Sequence, residues 1–349
     1  MSQPLVLVTG GSGFVGTHTL LALLQPSSSY RLRSTLRSVT RADEVRKQLV
    51  SGGASESAAA GVEFVAADLL KDDGWDDAVK DCTYVHHVAS PFPAAAPKHE
   101  DELVRPAREG TLRVLRAAKR AGTVKRVVVT SSVAAVAYGH DDLGRDFTEE
   151  DWSDDKDPKI AAYPKSKTLA ERAAWEFVEK EGEGMELAVV NPVGIYGPVL
   201  GKDYATSIEL VYRLMNGSIP GLPQLQLGLV DVRDVADLHV RCMTDPKAKG
   251  QRFIAVAEKF VWSVDIAKIL KDKLGERAKR VPTWVVPNFL VRLLGVFDPT
   301  VRMITPELGK SKNASNEKAK RELGWKPRSN EECIVATAES LEKLGMVKK

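Results

Sequence analysis

Tyr163 and Lys167 stand four residues apart in Tyr163-Pro-Lys-Ser-Lys167, at the head of a helix-like run, and that spacing puts both on one helical face. An ammonium beside a phenol favours the phenolate, so the pair can exchange a proton near neutral pH where a lone tyrosine cannot. Pro164 suits a helix's first turn and biases Tyr163 away from α geometry, which predicts the tyrosine at the helix boundary. Alone, the pair could be an accident of surface-helix spacing. Upstream, Arg126-Val-Val-Val-Thr-Ser131-Ser132 reads as a strand ending in hydroxyls. One of these can donate a hydrogen bond to an oxygen as charge develops on it, although Ser131 can instead cap the following segment.

A second constellation lies at the start of the chain. Leu5-Val-Leu-Val-Thr-Gly10-Gly-Ser-Gly13-Phe14-Val15-Gly16 places glycines between an apolar strand and a helix, the context in which such a fingerprint cradles a dinucleotide. One glycine permits the turn, another lets the backbone approach the pyrophosphate, and Gly16 allows close helix–strand packing. About twenty positions on, where an acidic residue would hold a free ribose 2′-hydroxyl, the chain has Leu36-Arg37-Ser38. A guanidinium there forks onto a 2′-phosphate, so Arg37, with Ser38 and Arg41 as helpers, predicts NADP(H) over NAD(H). Asp68 and Leu69 follow the third strand, within reach of the adenine edge. Val88, Ala89 and Ser90 end the fourth, beside the expected crevice. His86 and His87 are adjacent in a strand and face opposite sides, which favours packing over metal binding.

These residues need a sheet to hold them. Up to about residue 190, short β-branched runs alternate with amphipathic stretches, the pattern of a parallel sheet covered by helices on both faces. Strands are expected at Leu5–Val8, Arg31–Leu36, Val62–Ala66, Thr83–Val88, Arg126–Thr130, Leu187–Val190 and Arg252–Val256. Helices are expected at Val15–Leu24, Ala42–Val50, Asp76–Lys80, Asp101–Ala121, Ser166–Lys180 and Val264–Leu274, with another opening near Val230. Ser51 to Gly61 reads as a flexible surface connection, and the Gly- and Pro-rich stretches of 192–227 as substrate loops or a lid. The expected fold class is α/β, a Rossmann-type doubly wound parallel sheet with a smaller, discontinuous substrate domain. The boundaries are 1–191 with 228–262 for the NADP-binding domain and 192–227 with 263–349 for the substrate-binding domain.

With 349 residues, 50 basic and 47 acidic, the net charge is only +3. That balance gives no reason to expect a nucleic-acid or membrane partner. Cys82, Cys242 and Cys333 are far apart and lack metal-ligand spacing, which predicts free thiols and no metal. The first apolar stretch lacks a basic leader and a cleavage site and is occupied by the glycine loop, so the expected location is cytoplasmic. The chain is expected to be a monomer or homodimer.

Val8-Thr-Gly-Gly-Ser-Gly-Phe-Val-Gly16, His87-Val-Ala-Ser-Pro91, Val129-Thr-Ser-Ser132, Tyr163-Pro-Lys-Ser-Lys167 and Asn191-Pro-Val193 together resemble the extended short-chain dehydrogenase/reductase family over nearly the whole chain. The resemblance is to its dihydroflavonol reductase, cinnamoyl-CoA reductase and microbial carbonyl reductase group. It implies that Ser132 polarises the carbonyl, Tyr163 donates the proton, Lys167 holds the nicotinamide ribose, and Pro192 and Val193 line the nicotinamide. It also supports Arg37 as the 2′-phosphate reader. Val133-Ala-Ala-Val-Ala137 lacks the asparagine that the plant flavonoid enzymes use to orient a flavonol, which points to a less polar ketone or aldehyde. Phe92, Tyr138, Tyr196 and Tyr204 could shape an apolar pocket, or pack in the core. The expected function is NADPH-dependent reduction of a small-molecule carbonyl. The alternatives are a nucleotide-sugar epimerase or dehydratase that retains its NAD, and a dinucleotide-sensing regulator without turnover.

Overall fold

A computed structural model describes residues 3–26, 28–90, 99–140, 143–201 and 204–348. Seven parallel strands form its central sheet: β1 (Leu5–Val8), β2 (Arg31–Leu36), β3 (Glu63–Ala66), β4 (Cys82–His87), β5 (Arg126–Thr130), β6 (Glu186–Pro192) and β7 (Gln251–Ala255). Their spatial order is β7-β6-β5-β4-β1-β2-β3. The chain therefore winds outward from β1 in one direction and from β4 in the other. Register follows hydrophobicity: Val6, Leu7 and Val8 are wholly buried against Tyr84, Val85 and His86 of β4. Strands covered on both faces read as continuous apolar runs for this reason.

Each face of the sheet has its own core. On one face α1 (Phe14–Leu23) and α2 (Ala42–Ser51) bury Leu20, Leu23, Val45 and Leu49 with Val6, Val128 and Val190. On the other, α5 (Asp101–Ala121) and α6 (Ala162–Glu181) close over Leu7, Val85 and Val127 with Leu115, Ala174 and Phe177; α3 (Glu56–Ala60) and α4 (Trp75–Val79) are single-turn elements between α2 and α5 in sequence. A third core gathers Tyr196, Ile208, Val211 and Leu214 with Ile266, Leu270, Ile334 and Leu341, drawing residues from segments far apart in the chain. No described helix is long and apolar enough to cross a membrane.

Three expectations are corrected. The 51–61 connection contains helix α3, because Ser55 Oγ accepts from Ala58 N at 3.2 Å and caps a short alanine run. The 192–227 stretch is not all loop, since Ile208–Met215 is a helix with Ile208, Val211, Leu214 and Met215 buried. The tyrosine-bearing helix begins at Ala162 and not Ser166. Pro164 sits in its first turn, where no intrahelical N–H is needed, so the proline is accommodated without shortening the helix.

Candidate functional site

The crevice forms where the sheet reverses direction, between the C-terminal ends of β1 and β4, the place where open α/β sheets bind ligands. Gly10 has φ +72°, and a Cβ there would lie 3.0 Å from the Ala89 side chain. A Cβ on Gly16 would sit 2.2 Å from Gly10 O, so only glycine lets α1 approach the loop this closely. Gly13 is the N-cap of α1 and supplies no side-chain cap. The first-turn N–H groups of α1 therefore lack a side-chain acceptor from the cap position, which suits an anion. Phe14 packs edge-on to His18 at 5.5 Å, and Val15 packs on the first core.

Thr9 organises the loop in a way the motif did not disclose. Its Oγ1 accepts from Val88 N and Ala89 N, both at 3.0 Å, and lies 3.1 Å from His87 Nδ1. With two donors already facing it, the hydroxyl donates its own proton to Nδ1, which leaves the neutral ring's proton on Nε2. Burial, reinforced by the Lys167 charge, holds this imidazole down to about 3. His86 is likewise buried and held well below its usual value.

At the end of β2, Arg37 is exposed and has no hydrogen bond or ion pair among the described residues. Its two expected helpers are engaged: Ser38 Oγ meets Thr40 Oγ1 at 2.7 Å, and Arg41 pairs with Glu44 at 2.9 Å. Asp68 Oδ1 accepts from Leu70 N at 3.0 Å, closing the turn after β3, and Leu69 is buried in the second core. The Leu69 side chain thus serves packing.

Helix α6 carries Tyr163 and Lys167, and Lys167 reaches the residues just beyond β4. Lys167 is nearly buried; its Nζ donates to Ser90 Oγ at 3.1 Å and lies 5.9 Å from the Tyr163 ring centroid. The two serines diverge. Ser131 Oγ donates to the buried Glu171 carboxylate at 2.5 Å, whereas Ser132 Oγ accepts from Ala134 N at 3.1 Å and reaches Pro192 O only at 3.5 Å. Ser132 is therefore the capping serine, and its proton is held only loosely. Val193 N donates to Ala255 O at 3.1 Å, fixing the turn beyond β6. A polar cavity of about 20 Å³, room for one water molecule, lies among His87, Ser90, Ser131, Lys167 and Glu171.

The four aromatic candidates separate. The Tyr138 phenol is pushed up by burial first and then by Glu307 and Tyr163. Lys312 Nζ lies 3.7 Å from the Tyr138 ring centroid and 2.7 Å from Glu307 Oε2, so the C-terminal segment reaches this wall. Tyr196 is buried in the third core, where its ring packs with Ile208 and Val211. Tyr204 donates to Glu209 at 2.9 Å and packs on Tyr212. Phe92 lies outside the described residues.

Glu171, Asn191 and Arg252 were not singled out as chemistry-bearing positions, yet they meet beneath Ser131 and Ser132. Glu171 follows Tyr163 by two helical steps of four, a spacing that could have flagged it. Nothing in the local sequence could have flagged Arg252.

Residues 6–257 match the model described as the NAD dependent epimerase/dehydratase family. The chain is 32% identical to a cinnamoyl-CoA reductase of Medicago truncatula, over 76% of this chain and 80% of the relative. It is also 32% identical to a dihydroflavonol 4-reductase of Zea mays, over 78% and 74%. Among solved structures, yeast methylglyoxal/isovaleraldehyde reductase complexed with NADPH superposes with a TM-score of 0.80 at 28% identity, covering 98% of this chain and all of the other.

Proposed function

We propose that this chain, which belongs to the NAD dependent epimerase/dehydratase family, is an NADPH-dependent oxidoreductase that reduces the carbonyl of a small aldehyde or ketone to an alcohol. One observation supports the reading most: Lys167, one helical step from Tyr163 on α6, is held at Ser90 just beyond β4, next to the Ala89 that Gly10 faces, while Ser132 stands at the end of the neighbouring β5. The site fits a dinucleotide phosphate. Gly10 and Gly16 let the loop, the end of β4 and α1 close together where a Cβ would clash, the start of α1 without a side-chain cap suits an anion, and exposed Arg37 at the end of β2 would meet a 2′-phosphate.

NADPH, when bound, supplies the hydride for the carbonyl carbon. Ser132, whose oxygen already accepts from Ala134 N, turns its proton to the carbonyl oxygen and steadies it as negative charge builds. Tyr163 delivers the proton that makes the alcohol, and the ammonium of Lys167 stabilises the phenolate left behind. Lys167, held at Ser90, would also hold the nicotinamide ribose. Pro192 and Val193, fixed at the end of β6 and in the turn beyond it, would line the nicotinamide, and Asp68, Leu69, Val88 and Ala89 would border the rest of the dinucleotide through their strand-end backbone.

Val133 to Ala137, directly after Ser132, carry no polar side chain, which favours an apolar carbonyl substrate over a polyphenol. The third core supports a separate substrate-binding unit drawn from 192–227 and 263–349, although Ala314, Ala319, Leu323 and Trp325 of the latter pack in the first core. Arg37 weighs against an epimerase with retained NAD, and the intact tyrosine against a regulator without turnover. Following NADPH absorbance with a panel of aldehydes, β-ketoesters and aryl ketones tests the activity. Oxidation by at least one is expected, and none by any would refute it.

A further inference from the structure

Glu171 is completely buried and Arg252 nearly so, with side-chain exposures of 0% and 8%. Burying two charges costs several kcal/mol per ion unless their geometry is well satisfied, and an apolar pair of equal volume often serves stability as well. The position of this pair suggests another use. Glu171 Oε2 accepts from Ser131 Oγ at 2.5 Å and from Asn191 Nδ2 at 2.7 Å. Asn191 Nδ2 donates in addition to Ser132 O at 3.1 Å. Glu171 Oε1 accepts from Trp175 Nε1 at 3.2 Å and lies 2.8 Å from Arg252 Nε, off the N–H axis, so that contact is an ion pair and not a directed hydrogen bond. Arg252 is itself held from behind: its guanidinium stacks 3.8 Å from the Trp152 ring centroid, and Nη1 donates to Asp151 O at 2.9 Å.

Sequence order makes this arrangement consequential. Ser131 immediately precedes Ser132, Asn191 immediately precedes Pro192, and Glu171 lies one further helical step along the face of α6 that carries Tyr163 and Lys167. A single carboxylate therefore links the end of β5, the end of β6 and the catalytic helix. Since β7 pairs with β6, Arg252 fixes that carboxylate from the neighbouring strand.

We infer that Glu171, braced by Arg252, is a positioning residue: it sets where Ser132 and Pro192 stand relative to Tyr163 by holding Ser131 and Asn191 through one oxygen. The inference rests on the carbonyl-reductase reading. A misplacement of about 1 Å at such a site can cost on the order of 100-fold in rate.

Glu171→Gln keeps the shape but turns an amide N–H₂ toward Asn191 or Arg252, both donors. Its kcat should fall roughly 10- to 100-fold, with KM for NADPH within about twofold of wild type and a larger primary isotope effect from deuterated NADPH. Ser131→Ala cuts the same link from the other end while leaving the ion pair intact, and should lower kcat in the same way. The double variant should lose no more than the worse single, because both substitutions break one link. If Glu171→Gln does not fold, Ser131→Ala decides alone. Wild-type kcat in either folded variant, or a lowered melting temperature with unchanged kcat and isotope effect, overturns the positioning role. Multiplying losses in the double variant overturn the shared link. A wild-type chain that reduces no carbonyl overturns the parent reading and the role together, whereas wild-type turnover beside unaffected variants overturns the role alone.

Discussion

At one end of the crevice Arg37 stands exposed at the tip of β2, while at the other Lys167, Ser132 and Glu171 lie buried under the ends of β4, β5 and β6. The first end, the proposed adenosine side, works by shape and a solvent-facing charge. A glycine turn lets loop, strand and helix close together, and one exposed guanidinium has no hydrogen bond or ion pair among the described residues. The second, the proposed nicotinamide side, works by buried groups that hold one another: Thr9 on His87, Ser90 on Lys167, Ser131 on Glu171. Recognition at a wet surface tolerates variation and responds to salt, whereas proton transfer needs fixed donors in a site from which water is mostly excluded. Disturbing the two ends should therefore give different phenotypes.

Acid should give the largest effect, and through the buried side. Burial lowers His87 to about 3 and His239, which bonds Thr130 at 2.7 Å, to about 4; His18 on α1 is lowered to about 4 as well. Each takes up a proton in the unfolded chain near 6.5 but not in the folded one. Below that pH the unfolded state binds more protons, so stability falls as pH falls, by up to about 1.4 kcal/mol per pH unit for each histidine. The loss levels off once the folded pKa is passed. Melting temperature should keep dropping from about pH 6.5 down to about pH 4, and a flat profile there would mean that these rings are not held neutral.

Gly16→Val should be next. Its Cβ would meet Gly10 O at 2.2 Å, and forcing the loop away costs roughly 1–3 kcal/mol, which would raise the Kd for NADPH by up to about 100-fold in a titration of cofactor fluorescence. Binding at wild-type strength would place the dinucleotide elsewhere.

Arg37→Ala should raise KM for NADPH roughly 10-fold or more, the worth of a charge-assisted hydrogen bond, and leave KM for NADH almost unchanged. Added salt should mimic it by weakening NADPH binding without touching kcat. Equal effects on both cofactors would remove Arg37 as the phosphate reader.

Arg41→Ala should be the smallest change, within about twofold, because Arg41 already pairs with Glu44 on the surface. A loss as large as that of Arg37→Ala would shift the phosphate contact toward the start of α2.

What could be read from the chain in advance follows the same division. The glycine loop, the alternation of apolar runs and helices, and the spacing of Tyr163 and Lys167 are local patterns, and folding sets Lys167 at Ser90, one residue past the Ala89 that Gly10 faces. The choice between Ser131 and Ser132 is not local. It depends on a carboxylate 40 residues from Ser131 and on Asn191, which the sheet brings together. Arg252 lies farther still, on a strand joined to β6 only by folding. Leu69 and Tyr196 look like ligand contacts by position, but burial commits them to packing. The Ile208–Met215 helix was hidden by the glycines and prolines on either side of it.

Proton delivery by Tyr163 is tested most directly by Tyr163→Phe, which removes one oxygen and leaves the ring. NADPH should bind with unchanged affinity, while kcat on any accepted carbonyl should fall roughly 100-fold or more, the range of a lost general acid. Undiminished turnover with intact cofactor binding would contradict it.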